Sequence, residues 1–287
     1  MVSIVIPAYN EEEVIAETVN SILRAFEKSG KEKPEIIVID DCSTDQTSAI
    51  CSKLDVIALK NPVNVGYGFS LKRGINQASN DTIVITDADG TYPIDQIPAL
   101  LDVYSNGFDM VVGARQGTYY EQSFMKKQLR YFLKSLVEFT TNNTIPDINS
   151  GLRIFSKKES TKYLYQLSNA FSFTTSITLV YMLNHKFVTY IPIPYEKRVG
   201  NSKVRIVRDI FRTLQYIFEI ILYYNPVKIY ILLFFAVAVL GVISGLFYAL
   251  LDSKIALLIM FGNILAVPMI IVASMLAMQF KQYKIRE

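Results

Sequence analysis

Two stretches near the carboxyl end, Ile229–Leu251 and Ile255–Phe280, contain no charged side chain. Each exceeds the roughly 20 residues that a helix needs to cross a bilayer core. Only Asp252, Ser253 and Lys254 separate them, so the pair is expected to form a tight helical hairpin with both outer ends on one side of a membrane. Lys228 before the first stretch and Lys281, Lys284 and Arg286 after the second place that side in the cytoplasm, where basic residues are in excess. A buried hairpin within a soluble core is the competing reading, and length and lack of charge favour the span.

The remaining sequence has a different pattern. Residues 1 to about 195 alternate short β-branched runs with longer amphipathic ones, as parallel strands joined by helical crossovers do. Strands are expected at Val2–Ile6, Ile36–Ile39, Val56–Leu59, Thr82–Thr86, Met110–Val112, Leu152–Phe155 and Val188–Ile191. A chain of 287 residues, 51% hydrophobic, can hold one α/β domain and the apolar hairpin. The expected division is 1–203 for the α/β domain, 204–225 for a connecting helix and 226–287 for the hairpin with its tail. In that helix Arg205, Arg208, Asp209, Arg212, Gln215 and Glu219 lie opposite Ile206, Val207, Ile210, Phe211, Leu214, Ile217, Phe218 and Ile221. It reads as an amphipathic helix at the lipid interface, or as a core helix packed on the sheet.

Composition narrows the partners. A net charge of +3, with basic residues beside apolar stretches, argues for lipid and against nucleic acid. Cys42, Cys51 and the single His185 cannot build a structural zinc site or a disulfide framework, which fits a reducing compartment. The opening run Met1–Pro7 lacks the basic and small-residue elements of a signal peptide, so the first domain is expected to stay cytosolic.

Chemistry is concentrated at strand ends. Asp87-Ala88-Asp89 follows the apolar run Thr82–Thr86 and leads into Gly90-Thr-Tyr-Pro93. Two carboxylates there can grip a hard divalent cation, Mg2+ or Mn2+, and through it a diphosphate. The carboxyl end of a parallel strand is where open α/β sheets bind ligands. Alone, the pair is more often a solvated turn or a helix cap. However, the first strand ends in Pro7-Ala-Tyr9-Asn-Glu11 and the second in Asp40-Asp41-Cys42-Ser43-Thr44-Asp45. Tyr9 can stack on a nucleobase, and an aspartate beyond the second strand can accept hydrogen bonds from base or ribose. Lys126, Lys127, Arg130 and Lys134 share a segment with Phe124, Leu129, Phe132, Leu133 and Leu136, a combination that suits a lipid phosphate or an ordinary amphipathic surface helix.

In order and spacing these strand ends, with the turn Asn64-Val-Gly66-Tyr-Gly68, resemble glycosyltransferase family 2; no P-loop or Rossmann fingerprint occurs. Val112-Gly-Ala-Arg115, Asp147-Ile-Asn-Ser-Gly-Leu-Arg153 and Glu196-Lys-Arg-Val-Gly200-Asn-Ser-Lys203 narrow the resemblance to polyprenyl-phosphate sugar transferases of the dolichyl-phosphate mannose synthase type. The resemblance implies a GT-A fold. It implies donor-nucleotide contacts from Pro7, Tyr9, Glu11, Asp41, Asp87, Ala88, Lys197, Arg198 and Lys203, and a metal held by Asp87, Asp89 and Thr91. It also implies acceptor-phosphate contacts from Arg115, Arg130, Lys134, Ser135 and Arg153, with Asp89, Arg115 and Arg130 catalytic. The implied reaction is an inverting, metal-dependent transfer of a hexose from GDP-mannose or a UDP-sugar to polyprenyl or dolichyl phosphate. It would take place at the cell membrane, or at the endoplasmic reticulum membrane in a eukaryote.

Four positions depart from the family pattern. Cys42 stands where glycine is common, Thr91 where mannose synthases commonly carry glutamine, Lys197 at the usual arginine with Arg198 one place late, and Lys134 where a serine is expected, with Ser135 adjacent.

The acceptor is also constrained by what is absent. A sugar hydroxyl is a poor nucleophile at neutral pH and needs a general base. Hydroxyl-acceptor members of the family supply an acid after the sixth strand, whereas Ile154–Tyr195 contains Glu159 as its only acid, and the chain has no tryptophan for the Q-x-x-R-W motif. A phosphate monoester, with a second pKa near about 6, is already largely dianionic and needs cations rather than a base. The rival readings are transfer to another membrane lipid, with Asp147 as base, and a non-catalytic nucleotide-sugar-binding scaffold. His185 reads as a surface or helix-end residue, and Cys51 as core.

Overall fold

The computed structural model describes residues 1–117, 124–196, 206–251 and 254–286. Its β-branched runs form β1 (Val2–Ala8), β2 (Glu35–Asp40), β3 (Ile57–Lys60), β4 (Thr82–Ile85), β5 (Met110–Gln116), β6 (Arg153–Ser156) and β7 (Val188–Pro194). These make one sheet in the order β3-β2-β1-β4-β6-β5-β7. The order in which strands are added reverses at β1, with β2 on one side and β4 on the other, both parallel to it, so the crevice at their carboxyl ends is a topological switch point.

Every expected strand is present, but the all-parallel expectation fails at β6, which runs antiparallel to both β4 and β5. The chain reaches β6 through 142–152, a segment that arrives at the carboxyl-end edge before entering the sheet. The strand must therefore run back from that edge, and residues that precede β6 join the loops that follow β1, β2, β4 and β5.

Helices cover both faces: α1 (Ile15–Lys28), α2 (Thr47–Cys51), α3 (Tyr67–Gln77), α4 (Ile97–Tyr104), α5 (Phe124–Thr141), α6 (Lys157–Thr161) and α7 (Phe173–Leu183). Alternate strand residues point to opposite faces. Ile4, Ile6, Ile36 and Val38 share a core with Ile15, Val19, Ile22 and Phe26 of α1. On the other face α3 lies so close to β1 and β2 that a Cβ at Gly74 would overlap Val5 Cγ1 and Ile39 Cδ1. The edge strand β7 carries Pro192 and Pro194, which withhold amide donors from further pairing.

The chain divides into two compact units, Met1–Ile217 and Phe218–Glu287. Helix α8 (Ile206–Tyr224) crosses that division, burying Thr213, Ile217, Ile220 and Ile221 while exposing Phe211, Phe218 and Leu222. In the second unit α9 (Pro226–Leu251) packs on α10 (Lys254–Arg286). Their segments Pro226–Leu250 and Leu257–Leu276 are long and apolar enough to cross a membrane, and Phe235, Leu246, Leu258 and Met269 are exposed along them. Gly241 and Gly245 of α9 face Asn263 and Met260 of α10: a Cβ at either position would be in ordinary contact, 3.9 Å from Asn263 Cβ and 3.8 Å from Met260 Sδ.

Close packing at Gly74 leads to a stability prediction. Gly74→Ala should destabilise the detergent-solubilised protein by about 1–3 kcal/mol, as overpacking does. Gly262→Ala, with nothing within 4 Å of the added Cβ, should not. Denaturant or thermal unfolding of both variants checks the contrast.

Candidate active site

The loops after β1 and β2 are tied to each other. Asn10 and Glu11 amides donate to Ser43 Oγ (2.9 Å) and Thr47 Oγ1 (2.8 Å), while the Thr44 and Gln46 amides donate to Asn10 Oδ1 and Glu12 Oε2 (both 2.8 Å). The tight fit requires left-handed backbone at Asn10 (φ 53) and Cys42 (φ 63). This is a conformational reason for the glycine common at position 42. The Cys42 thiol reaches Pro62 O at 3.6 Å, a packing role. Pro7 lies within β1; Tyr9 and Glu11 follow it, half-buried, at the same edge.

Asp41, expected to face a nucleotide, is buried. Its Oδ1 accepts from Asn61 Nδ2 (2.8 Å) and the Val65 amide (3.0 Å), and its Oδ2 from the Gly66 amide (2.8 Å). Asp41 thus pins the Asn64–Gly68 turn. One residue earlier, Asp40 Oδ1 accepts from the Ser43 amide (2.8 Å), whereas its buried Oδ2 has no hydrogen-bond partner and lies 3.9 Å from Lys60 Nζ. The acceptor left over at this strand end belongs to Asp40, which the sequence reading passed over for its neighbour.

Beyond β4, Asp87 is half-buried and Ala88 and Asp89 are buried. Thr91 donates to Asp89 Oδ1 through its hydroxyl (2.6 Å) and amide (3.2 Å). It therefore orients this carboxylate. Tyr67 donates its hydroxyl to Asp87 Oδ1 (2.8 Å) and stacks on Phe171, with centroids 5.5 Å apart. Burial, followed by the nearby Asp87 charge, raises the Tyr67 phenol well above its ordinary pKa, so it remains a donor. Tyr92 Oη accepts the Gly151 amide (2.6 Å). A Cβ at Gly151 would sit 2.8 Å from each carboxylate oxygen of Asp87, so only glycine lets that carboxylate lie against the backbone here. Tyr67, Tyr92 and Gly151 were missed as site residues, although each lies within a quoted motif.

Those two aspartates offer hard oxygen donors that fit Mg2+ or Mn2+. Among the described residues no group of three or more His, Cys, Asp or Glu could hold a metal. The donor set suits a site shared with substrate, where one or two carboxylates and phosphate oxygens complete the shell.

On the other side of the crevice, Arg115 at the end of β5 grips Asp147. Arg115 Nε donates to Oδ2 (2.7 Å), Nη2 to Oδ1 (2.9 Å) and the backbone amide to Oδ2 (3.2 Å). The Asn149 amide adds a bond to Oδ1 (3.1 Å). Side-chain exposure is 13% for Arg115 and 1% for Asp147, and the Tyr195 ring centroid lies 5.2 Å from Arg115 Cζ. Burial pushes the Asp147 carboxyl up, but the Arg115 charge and hydrogen bonds outweigh it and hold the group below its ordinary pKa.

Other expected acceptor contacts diverge. Lys134 Nζ lies 3.7 Å from Glu138 Oε1, a surface pair of small energetic weight, and Ser135 is half-buried on the same helix. Arg130 falls on α5, and its side chain lies outside the described residues, as do Lys197, Arg198 and Lys203. Arg153 is fully buried, donating to Ser150 O, Ile148 O and Thr178 Oγ1. With its guanidinium engaged inside the core, the expected contact between Arg153 and an acceptor phosphate is corrected to a structural one.

The Asp147 geometry sets a pH dependence. A folded carboxyl titrating below its unfolded value contributes stability that is fully present above about pH 4 and is lost as pH falls through the folded pKa. Asp147→Ala should cost about 3 kcal/mol near neutrality, because it leaves a largely buried guanidinium without its partner. The gap to wild type should narrow below about pH 4; unfolding curves across pH check this, and a gap that widens on acidification would contradict it.

The family model for glycosyl transferase family 2 matches residues 3–164. Undecaprenyl-phosphate 4-deoxy-4-formamido-L-arabinose transferases of Salmonella paratyphi B and Salmonella newport are each 28% identical over 247 residues, covering 84% of this chain and 73% of theirs. Among solved structures, glucosyl-3-phosphoglycerate synthase from Mycobacterium tuberculosis, in complex with Mn2+, UDP and glucosyl-3-phosphoglycerate, gives a TM-score of 0.61 at 18% identity. That match covers 77% of this chain and 79% of that one. The same enzyme with Mg2+ and UDP gives 0.60 at 19%, with the same shares covered. At such identities the structural likeness speaks for the fold, a GT-A sheet. Because the family match spans more than half of the chain, the protein belongs to glycosyl transferase family 2 and is a glycosyltransferase.

Proposed function

We propose that this enzyme transfers a sugar from a nucleoside diphosphate to a polyprenyl phosphate, by direct displacement at the anomeric carbon with inversion. The observation that carries the reading is the state of Asp147. It is the carboxylate beside Arg115 that the rival, hydroxyl-acceptor mechanism would use as base, yet it is buried, held ionised and engaged by four donors. A carboxylate whose lone pairs are filled and whose pKa is depressed is a poor proton acceptor. Arg115, the cation beside it, keeps 13% of its side chain exposed, and positive charge there suits a phosphate dianion. The Salmonella relatives, named for undecaprenyl phosphate, support the same acceptor class.

In this reading Arg115, fixed in orientation by Asp147 and Tyr195, faces the acceptor phosphate, together with Arg130 and Ser135 of α5. Tyr9 and Asp40 serve the nucleoside, and Lys197, Arg198 and Lys203 the diphosphate. Asp87 and Asp89 hold Mg2+ or Mn2+, the ions named with the mycobacterial enzyme. A divalent cation held there would supply positive charge to offset that of the departing diphosphate. Tyr67 and Thr91 hold the two carboxylates in place. Residues 226–287 anchor the enzyme in the membrane as a hairpin, with Lys228, Lys281, Lys284 and Arg286 on the cytoplasmic side. Phe211, Phe218 and Leu222 of α8, exposed on that helix, sink into the acyl boundary.

The test is to incubate the full-length protein in lipid with undecaprenyl or dolichyl phosphate, Mg2+ or Mn2+, and a panel of UDP- and GDP-sugars, then weigh the lipid product. A lipid-phosphate-linked sugar is the expected product. Asp89→Ala, in which one charged ligand is lost from a strand end, should remain folded and lose transfer. Near-normal metal-dependent turnover by that variant would refute the assignment of the site.

A further inference from the structure

Arg153 is the bulkiest of the fully buried side chains among the described residues. A guanidinium stays charged throughout the physiological range, and burial is costly unless its donors are satisfied. Nε donates to Ser150 O (2.8 Å), Nη2 to Ile148 O (3.0 Å) and Nη1 to Thr178 Oγ1 (2.6 Å). Thr178 donates its own hydroxyl to Thr174 O (2.9 Å) within α7. A second tie from α7, Thr175 Oγ1 to Asn149 Oδ1 (2.7 Å), holds the residue between. The segment that follows Asp147 is thus fixed from the core side at three successive residues, and Ser150 Oγ anchors its far end to Gly113 O (2.5 Å).

Asp147 can grip Arg115 with both oxygens only while this segment keeps its curve. We propose that Arg153 is a positioning residue. Through the carbonyls of Ile148 and Ser150 it fixes the 147–151 segment, and through Asp147 it sets the orientation of the Arg115 guanidinium, without touching substrate. A planar fork reaches three acceptors in fixed directions, which a lysine ammonium on a flexible stem does not. The inference rests on the reading of Arg115 as the acceptor-side cation.

The experiment is a double-mutant cycle in the full-length protein, comparing wild type, Arg153→Lys, Asp147→Asn and the double variant. Acceptor kcat and KM are read beside nucleotide Kd, with Thr178→Val as a milder disturbance of nearly equal volume. Arg153→Lys should lower acceptor kcat/KM by about 10-fold or more in the wild-type background. The loss should be less than roughly 3-fold in the Asp147→Asn background, as for residues acting through one another. Nucleotide Kd should stay within about 3-fold throughout, and Thr178→Val should show the same pattern with smaller losses. Equal losses in both backgrounds would mark Arg153 as core alone and overturn the proposal, as would unchanged kinetics in Arg153→Lys and Thr178→Val. If Arg153→Lys does not fold, the cycle of Thr178→Val with Asp147→Asn decides. If wild type uses a free polyprenol as well as its phosphate, the acceptor reading falls, while the coupling is still judged by the cycle with that acceptor.

Discussion

The bidentate pair of Arg115 and Asp147 ties the end of β5 to the segment that leads into β6. Arg115 ends β5, while Asp147 stands ahead of β6, which enters the sheet in the opposite direction. Because β6 is antiparallel, its leading segment reaches the same edge as the loops after β1, β2 and β4. That segment also brings Gly151 against Asp87 and its amide onto Tyr92. A lone buried carboxylate or guanidinium would be costly to hold there, and pairing them removes most of that cost while fixing both directions.

Protonation states follow from burial in a consistent way. The phenols of Tyr67 and Tyr92 are pushed up, chiefly by burial, so neutral hydroxyls line the acidic loop and brace it without adding negative charge. The Asp147 carboxyl is pushed up by burial too, but the neighbouring guanidinium wins and keeps it ionised. One side of the crevice therefore carries the carboxylates of Asp87 and Asp89, and the other the Arg115 guanidinium paired with Asp147. This is the charge pattern that a metal-bound diphosphate and a second phosphate would meet.

Much of this was legible in the sequence, and the misses have identifiable causes. Runs such as Ile36–Ile39 and Thr82–Thr86 announce strands through β-branching, and the uncharged stretches announce the apolar hairpin by length alone. A strand's direction has no local signature, so β6 read as parallel. That the polar segments after the first, second and fourth strands meet at one edge was readable too, because parallel strands carry their carboxyl ends to the same side. Which of two adjacent aspartates keeps an oxygen without a partner was not readable: Asp40 and Asp41 differ only in which loop meets them, a tertiary fact. Arg153 illustrates the same limit. A sequence shows an arginine in a motif, but only packing shows its donors engaged by the Ile148 and Ser150 carbonyls.

The account depends on the acceptor site acting through positive charge, with no base. A pH–rate profile addresses this most directly, using polyprenyl phosphate and the matching free polyprenol with wild type and Asp147→Asn. A phosphate nucleophile predicts negligible transfer to the alcohol, and an acidic limb near the second phosphate pKa of about 6 in both proteins. Comparable transfer to the alcohol, or an acidic limb that disappears only in Asp147→Asn, would contradict it.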